Sequence, residues 1–346
     1  TLPRSRSPTS SRDPTARSRV GAVTETLAPA QEELEQYRGE LRGYCYRMLG
    51  STFDADDAVQ EAMVKAWQGL DRFEGRSSTR SWLYRIATNV CLDSLRAKKR
   101  RALPMDLAGP GSSSSDVGAP LPGEVWVEPT PDGDLRTGDP AQSAVFRNSV
   151  RLAFVAALQH LPPKQRAVLI LREVLCWQAS EVAELLDTTV ASVNSALQRA
   201  RATLGERALS EASPSAPLHD GDRELLARYV SAFEAYDIPS LVSLLSEDAG
   251  FSMPPLPLWL RGPEDVAEFY LGTGIGCKGS RLVPTSANGC PAFGHYKPAA
   301  DGDGYVPWAL QVVEVSDGRL VHLHHFLDTA ALFPRFGLPD RLPHDR

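Results

Sequence analysis

The chain has 346 residues, of which 42% are hydrophobic, and its formal net charge is −6. This length supports two or three domains of ordinary size, and no run of about 18 apolar residues could span a bilayer. The Arg- and Ser-containing N-terminal segment is not followed by the apolar core of a signal peptide, so the sequence predicts a cytoplasmic protein that does not contact a membrane.

The five cysteines argue against a disulfide framework and against a zinc site. They are scattered, odd in number, and include no C-x-x-C pair. We interpret them as buried or incidental thiols and expect no cofactor. They are Cys45, Cys91, Cys176, Cys277 and Cys290.

Composition changes along the chain predict six segments. Ser, Pro, Thr and Arg dominate the first segment, and Gly, Pro and Ser dominate the third, so both lack the apolar periodicity of a folded domain. The second and fourth segments have helical periodicity, whereas the last begins with helices and continues with strands. The predicted segments are a disordered region at 1–29, helices at 30–102, a flexible linker at 103–140, helices at 141–209, a short linker at 210–222 and an α+β domain at 223–338.

Residues 79–101 form a predicted amphipathic helix with five cations near its end, inside an acidic chain. One face projects a set of polar side chains, among which Asn89 can pair with adenine. Trp82 or Tyr84 can stack on an unpaired base, and the cations at 96–101 can meet phosphates. The alternative is a solvated helix whose basic end complements its own dipole. The predicted apolar stripe is Leu83, Ile86, Ala87, Val90 and Leu95, and the polar face is Arg85, Asn89, Asp93 and Arg96.

The preceding stretch, residues 51–75, predicts a second amphipathic helix. Its apolar positions recur at helical spacing, so they define a buried stripe and leave the charged side chains on the wetter side. The stripe is Ala55, Ala58, Val59, Ala62, Met63 and Ala66, opposite Asp56, Asp57, Gln60, Glu61 and Lys65.

Residues 161–204 have helix-turn-helix proportions, although periodicity alone also fits a generic helical hairpin. A short helix, "EVAELL", and a turn come before a second helix with a regular apolar stripe. The stripe is Val190, Val193, Leu197, Ala200 and Leu204, which leaves Ser192, Asn194, Ser195, Gln198, Arg199 and Arg201 on the outside.

The last segment predicts an α+β domain with a hairpin at Asp317-Gly318. Alternation places His322 and His324 on one strand face, which raises a metal interpretation, but no acidic or Cys partner has the required spacing. An apolar pocket in such a domain could host a general base, yet no catalytic base is identified. We therefore expect a structural or regulatory domain, with candidate pocket residues Trp259, Tyr270, His295, Trp308, His322 and His324.

Two motif sets resemble the extracytoplasmic-function (ECF) group of bacterial sigma factors. The order D-A-D-D-A-V-Q-E-A-M-V-K-A-W, then F-x-G, then S-W-L-Y-R-I-A-T-N-V-C-L-D-x-L-R resembles sigma region 2. "LPPKQRAVLILRE", "EVAELL" and "SVNSALQRARATL" resemble region 4, whose second helix reads the minus-thirty-five element. The chain departs from many family members at Asn194 and Ala196, where they carry cations, so its promoter preference is expected to differ.

The resemblance implies functional residues and partners. The partners are core RNA polymerase, through its beta-prime clamp and beta flap, and promoter DNA. The implied polymerase contacts are Asp57, Gln60, Glu61 and Trp67. The implied minus-ten contacts are Arg80, Trp82, Arg85, Asn89, Asp93, Arg96, Lys98, Lys99 and Arg100, and the minus-thirty-five contacts are Ser192, Asn194, Ser195, Gln198, Arg199 and Arg201.

The last segment resembles the SnoaL-like, NTF2-type cone found on a subset of these sigma factors. The expected architecture is therefore two all-α sigma domains, a region 2 helical bundle and a region 4 helix-turn-helix, followed by an α+β cone. The resemblance implies a promoter-specificity subunit without catalytic activity, whose last domain modulates it and is a candidate for binding a small molecule. The alternatives are a ligand-responsive helix-turn-helix regulator, and a cyclase- or isomerase-like enzyme fused to DNA-binding helices.

Overall fold

The computed structural model describes residues 33–75, 77–97, 100–112, 117–135, 149–211 and 220–344, apart from the side chains of residues 206–211 and Asp220. The segment at 1–29, predicted to be disordered, lies outside these ranges, as do parts of both predicted linkers. In the described ranges, no helix is long and apolar enough to cross a bilayer.

Three antiparallel helices build the first bundle. Gly50, with φ of 70°, ends the first helix, because glycine adopts the left-handed region without steric cost. The Ser51 hydroxyl then accepts a hydrogen bond from the Asp54 N–H at 3.1 Å and caps the second helix. The helices are α1 (Arg38–Leu49), α2 (Thr52–Gly69) and α3 (Thr79–Ala97).

The predicted stripe of α2 is confirmed, and that of α3 is confirmed in part. All six apolar positions of α2 are buried. On α3, Ile86 and Leu95 are only half-buried, whereas Tyr84, Thr88 and Cys91 are fully buried. Thr88 can enter the core because its hydroxyl hydrogen-bonds the Tyr44 hydroxyl at 2.8 Å and the Tyr84 carbonyl at 2.6 Å.

The second helical block contains the predicted helix-turn-helix. Asp187, with φ of 49°, lies in its turn. Val193, Leu197 and Ala200 are buried as predicted, whereas Val190, at the start of the last helix, is 43% exposed. The helices are a short α4 (Pro104–Leu107) that precedes the block, then α5 (Leu152–Gln159), α6 (Pro163–Leu169), α7 (Ala179–Leu185) and α8 (Val190–Glu211).

The described parts of the segment predicted to be a flexible linker, 103–112 and 117–135, pack against the folded domains. Ala102 pairs with the backbone around Trp126, and Trp126 and Val127 are buried. The Trp259 indole of the last domain donates a hydrogen bond to the Ala108 carbonyl at 2.8 Å. This segment has too few apolar residues to fold alone, but neighbouring surfaces bury several of them, such as Leu103, Trp126 and Val127.

The last domain is a six-stranded sheet with helices packed against it, which confirms the predicted α+β architecture. The strand order is β2-β1-β6-β5-β4-β3, with β1 and β6 parallel and the other pairs antiparallel. The predicted hairpin turns at Asp317-Gly318, both with positive φ. The strands are β1 (Leu245–Ser252), β2 (Trp259–Arg261), β3 (Arg281–Ala287), β4 (Cys290–Pro298), β5 (Tyr305–Ser316) and β6 (Arg319–Phe326); the helices are α9 (Asp220–Ala235), α10 (Ile238–Val242), α11 (Pro263–Leu271) and α12 (Thr329–Arg335).

The two faces of this sheet belong to different hydrophobic cores. The inner face packs against α9 and α11 and forms a separate core with residues such as Tyr229, Phe233 and Phe251. The outer face, which includes Tyr296 and Val312, is continuous with the core of the two helical blocks. The last domain is therefore packed onto the helical blocks through its sheet.

Candidate polymerase and nucleic-acid interface

The α2 residues predicted to contact polymerase are all exposed. Gln60 and Trp67 line a groove of about 360 Å³ together with Met63 and Val64. Trp67 is 37% and Val64 39% exposed, which is unusual for large apolar side chains on a folded surface. Asp57 and Glu61 are exposed beside this groove, and Glu61 pairs with Lys65 at 2.7 Å. The structure thus brings the four predicted residues together on one helix face.

Trp82 and Asn89 of α3 line a second groove, of about 380 Å³. The Trp82 ring stacks on Phe73, with centroids 4.7 Å apart and planes inclined by 25°. Lys65 and Arg72 also line this groove, so it combines an aromatic face, an amide and two cations. Such a combination suits an unpaired base and its phosphates. Lys65, Arg72 and Phe73 were not among the predicted DNA contacts, although the F-x-G motif includes Phe73.

Tyr84 and Arg80 of α3 are not free to contact DNA, contrary to the expectation. Tyr84 cannot stack on a base, because its ring is fully buried between Tyr44 and Trp177 and its hydroxyl donates to Glu40 at 2.9 Å. Arg80 is occupied as well: its Nε donates to Glu40 at 2.7 Å, and its guanidinium lies 5.2 Å from the Trp177 ring. Both residues hold region 4's Trp177 against α3 in this arrangement.

The end of α3 is exposed but partly paired. Arg96 donates to Asp93 at 2.7 Å, and Arg100 hydrogen-bonds the His160 ring at 3.0 Å. Arg101, expected to meet phosphate, is instead buried and forms an ion pair with Asp54 at 2.8 Å. Lys98 and Lys99 lie outside the described residues.

Helix α7 lies directly on α3. The Arg85 guanidinium donates to the Glu184 carbonyl at 3.0 Å. Arg85, a predicted DNA contact, is therefore partly occupied by a hydrogen bond between the two helical blocks. On α8, all six predicted DNA-reading residues are exposed, and Arg201 also pairs with Glu173 at 2.6 Å. The recognition face of the helix-turn-helix is therefore open, whereas part of the α3 face is covered.

The last domain also contacts α2. Arg335 of α12 forms an ion pair with Asp134 at 2.9 Å and one with Asp56 at 2.5 Å, and its guanidinium lies over the Phe53 ring at 5.6 Å. Arg42 of α1 contacts both aspartates, at 2.6 and 3.0 Å. This cluster of two arginines and two aspartates borders the Gln60–Trp67 groove, since Arg42 and Asp56 line it.

The six candidate pocket residues do not form one pocket. Tyr270 and His295 are buried in the inner core, where His295 hydrogen-bonds Ser280 at 2.9 Å and Gln311 at 3.2 Å. Burial, with the nearby His325 and Lys297, holds the pKa of His295 well below its usual range. Trp308 is 41% exposed, under the Lys297 ammonium. Only Trp259, His322 and His324 line a common cavity, on the outer face of the sheet.

His322 and His324 share a strand face as predicted, with rings stacked 3.8 Å apart. His324 hydrogen-bonds Ser252 at 3.0 Å and Glu314 at 3.3 Å. Among the described side chains, no group of three or more His, Cys, Asp or Glu residues is placed to hold a metal ion.

Comparison with known proteins identifies the family. The model for sigma-70 region 2 matches residues 34–101, and that for sigma-70 region 4 matches residues 151–204. The ECF RNA polymerase sigma factor SigG of Mycobacterium tuberculosis is 45% identical over 311 residues, which span 89% of this chain and 83% of SigG. The chain belongs to the ECF RNA polymerase sigma factors. It is thus a bacterial sigma factor that binds core RNA polymerase and promoter DNA and directs transcription initiation.

Two further matches extend along most of this sigma factor. The M. tuberculosis sigma factor SigJ is 29% identical over 302 residues, 84% of this chain and 89% of SigJ. The crystal structure of SigJ superposes with a TM-score of 0.59 at 24% identity and covers 89% of this chain and 99% of that chain. The latter likeness supports the whole fold, including the sheet domain after region 4.

Proposed function

We propose that this sigma factor docks the beta-prime clamp of core polymerase through the α2 face, and the beta flap through region 4. The groove with the exposed Trp67 and Val64 carries this proposal, because large exposed apolar side chains in a groove are typical of protein interfaces. The neighbouring Asp57, Gln60 and Glu61 would supply the polar rim. The site of action would then be the cytoplasm, where polymerase and chromosome meet.

The second groove is the proposed minus-ten site. Trp82 would stack on an unpaired base, Asn89 would pair with a base edge, and Lys65 and Arg72 would neutralise phosphates. The exposed polar face of α8 would read the minus-thirty-five element as a duplex in the major groove.

The arrangement seen here is closed and must open during initiation. Elements at minus ten and minus thirty-five are roughly 85 Å apart along B-form DNA, given about 3.4 Å per base pair. Yet α7 of region 4 touches α3 of region 2 through the Arg85–Glu184 bond. We infer that region 4 leaves α3 when both elements are bound, and that the last domain modulates activity by biasing this step.

We infer that the last domain acts by contact and has no catalytic activity. Its inner rings are buried, and the Gln311 amide links two of them, since it accepts a hydrogen bond from the Tyr229 hydroxyl at 2.8 Å and hydrogen-bonds the His295 ring at 3.2 Å. That network stabilises a core and leaves the His295 ring 1% exposed, where it cannot reach a substrate.

The test is run-off transcription by the full-length chain with purified core polymerase on a promoter library. A truncation after region 4 would remove the sheet and expose the apolar side chains of the helical blocks that pack against its outer face. Point variants are therefore preferable. Trp67→Ala is expected to weaken core binding at least tenfold, as truncation of an interface hot spot does. Trp308→Ala, with a similarly exposed Trp in the last domain, is the matched control. Equal core affinities for the two variants would contradict the assigned docking face.

A further inference from the structure

A cavity of about 850 Å³ lies where three parts of the chain meet. Its walls come from α4 and the residues before it, from α5 and the end of α8 in region 4, and from the outer face of the sheet. This volume is within the range of small-molecule sites in proteins. It is separate from the inner core of the cone and from both grooves of region 2.

The carboxylates deep in the cavity wall are already occupied. Asp106 accepts from the Leu103 N–H at 2.8 Å and contacts the His160 ring at 3.2 Å. Glu314 is hydrogen-bonded to His324, whose other ring nitrogen contacts Ser252. The remaining acid, Asp248, is exposed at the rim.

Two arginines in the wall have unused hydrogen-bonding capacity. Arg151, at the start of α5, is half-buried and makes no hydrogen bond or close ion pair within the described residues, although its charge helps to lower the pKa of the nearby Glu314 carboxyl. Arg261 lies over the Trp259 ring at 5.1 Å and likewise has no carboxylate partner in the described part of the chain. A guanidinium presents a planar fork of donors that matches a carboxylate or phosphate.

About half of the wall surface is apolar. This apolar part consists of side chains from all three parts of the chain, and it offers a surface for a hydrocarbon or aromatic body: Leu103, Met105, Ala153, Phe154, Ala157, Leu204 and Val321. Apolar side chains beside polar groups that fix a ligand's orientation are typical of ligand sites.

We propose that this junction cavity binds an amphipathic organic anion, with its charged group at Arg151, assisted by Arg261, and its apolar body along α5 and Leu103. Because the cavity exists only while α5 and α8 of region 4 pack beside α4 and the sheet, the anion stabilises the closed arrangement and lowers transcription. This regulatory consequence rests on the proposed function, whereas the binding itself does not.

The first experiment is calorimetric titration of the full chain, without polymerase, using decanoate and, as the uncharged match, decanol. Decanoate is expected to bind at least tenfold more tightly than decanol. Arg151→Met should remove that difference, whereas Arg341→Met, at a remote exposed arginine, should keep it. Decanoate binding no tighter than decanol to the wild type, or the same preference in the R151M variant, would overturn the proposal.

A second variant covers the case in which R151M does not fold, as judged by circular dichroism. Ala157→Phe places a ring in the cavity from the half-buried face of α5, and should abolish decanoate binding while helix content is kept. Unchanged decanoate binding by the A157F variant would also overturn the proposal.

Run-off transcription separates the two proposals. Decanoate should inhibit initiation by the wild type and by the R341M variant in the concentration range where it binds. Charge-dependent binding without any transcription from the full-length chain would leave the site intact and count against the proposed function. Binding with transcription that decanoate does not change would overturn the inferred regulation.

Discussion

The Asn288 side chain of the last domain donates a hydrogen bond to the Tyr46 hydroxyl of region 2 at 2.6 Å, although 242 positions separate them. Asn288 also donates to the Val150 carbonyl at 2.6 Å and accepts from the Thr130 N–H at 2.9 Å. One fully buried amide at the tip of the β3–β4 hairpin therefore joins region 2, the segment after it, and the start of region 4.

Asn288→Ala is expected to destabilise the folded chain by about 2–4 kcal/mol, because three buried partners lose their hydrogen bonds. Asn288 has φ of 56°, so part of the cost is backbone strain in alanine. Asp317→Ala is the matched control, since Asp317 has φ of 50° in an equivalent X-Gly turn but is exposed. The measurement is urea unfolding, and equal losses in both variants would show that the amide bonds contribute nothing.

Arg335→Ala is expected to raise affinity for core polymerase about five- to tenfold. The reason is that Arg335 binds Asp56 of α2 beside the proposed docking groove, so the last domain and the clamp compete for neighbouring surface. Arg341→Ala removes an arginine–aspartate pair within the last domain and serves as the control. Fluorescence anisotropy with labelled core reports the affinity; a weaker complex for the R335A variant would mean that the cluster supports docking.

Trp82→Ala is expected to weaken binding of single-stranded minus-ten DNA by holoenzyme about tenfold or more, because stacking on an aromatic ring contributes about 1–3 kcal/mol per base. Arg72→Ala should instead lower the dependence of affinity on salt by about one phosphate contact. A Trp82 variant with unchanged affinity would exclude the Trp82 groove as the strand-capturing site.

Stability of the last domain should fall as pH is lowered below neutrality. Burial and the nearby His324 lower the pKa of His325 from 6.5 to about 3, so the folded state stays neutral while the unfolded state takes up a proton. Between these values each such histidine contributes a slope of up to about 1.4 kcal/mol per pH unit. The groups near His325 are Tyr270, Phe251, His324, Lys297, His295 and His322.

The check is urea unfolding at pH 7 and pH 5 for the wild type and for His325→Phe. The phenylalanine keeps a ring against Phe251 but takes up no proton. The free energy of unfolding of this variant should therefore depend less steeply on pH, by at most the slope that one proton contributes. A His325→Phe slope equal to that of the wild type would contradict the prediction.

The sequence by itself determined the family, the helices of regions 2 and 4, and the α+β order of the last domain. These features depend on periodicity and on ordered motifs, both of which are local in the chain. The exposed faces of α2 and α8 could be predicted for the same reason. An apolar stripe such as the one from Ala55 to Ala66 determines which side of the helix is buried and which is exposed to solvent.

Only the tertiary structure decided which predicted residues are free to act. Tyr84 and Arg101 are residue types that can contact DNA, but neither is available at the surface. Tyr84 is buried against Trp177, and Arg101 is buried in an ion pair with Asp54. The six candidate pocket residues do not form one pocket, because they lie on different faces of the sheet and each face packs into a different core. Asn288 and Arg335 carry no local signal, since their roles come from partners far away in the sequence that packing alone brings within a few ångströms. Arg151 carries none either, because the cavity that it lines is assembled from distant segments.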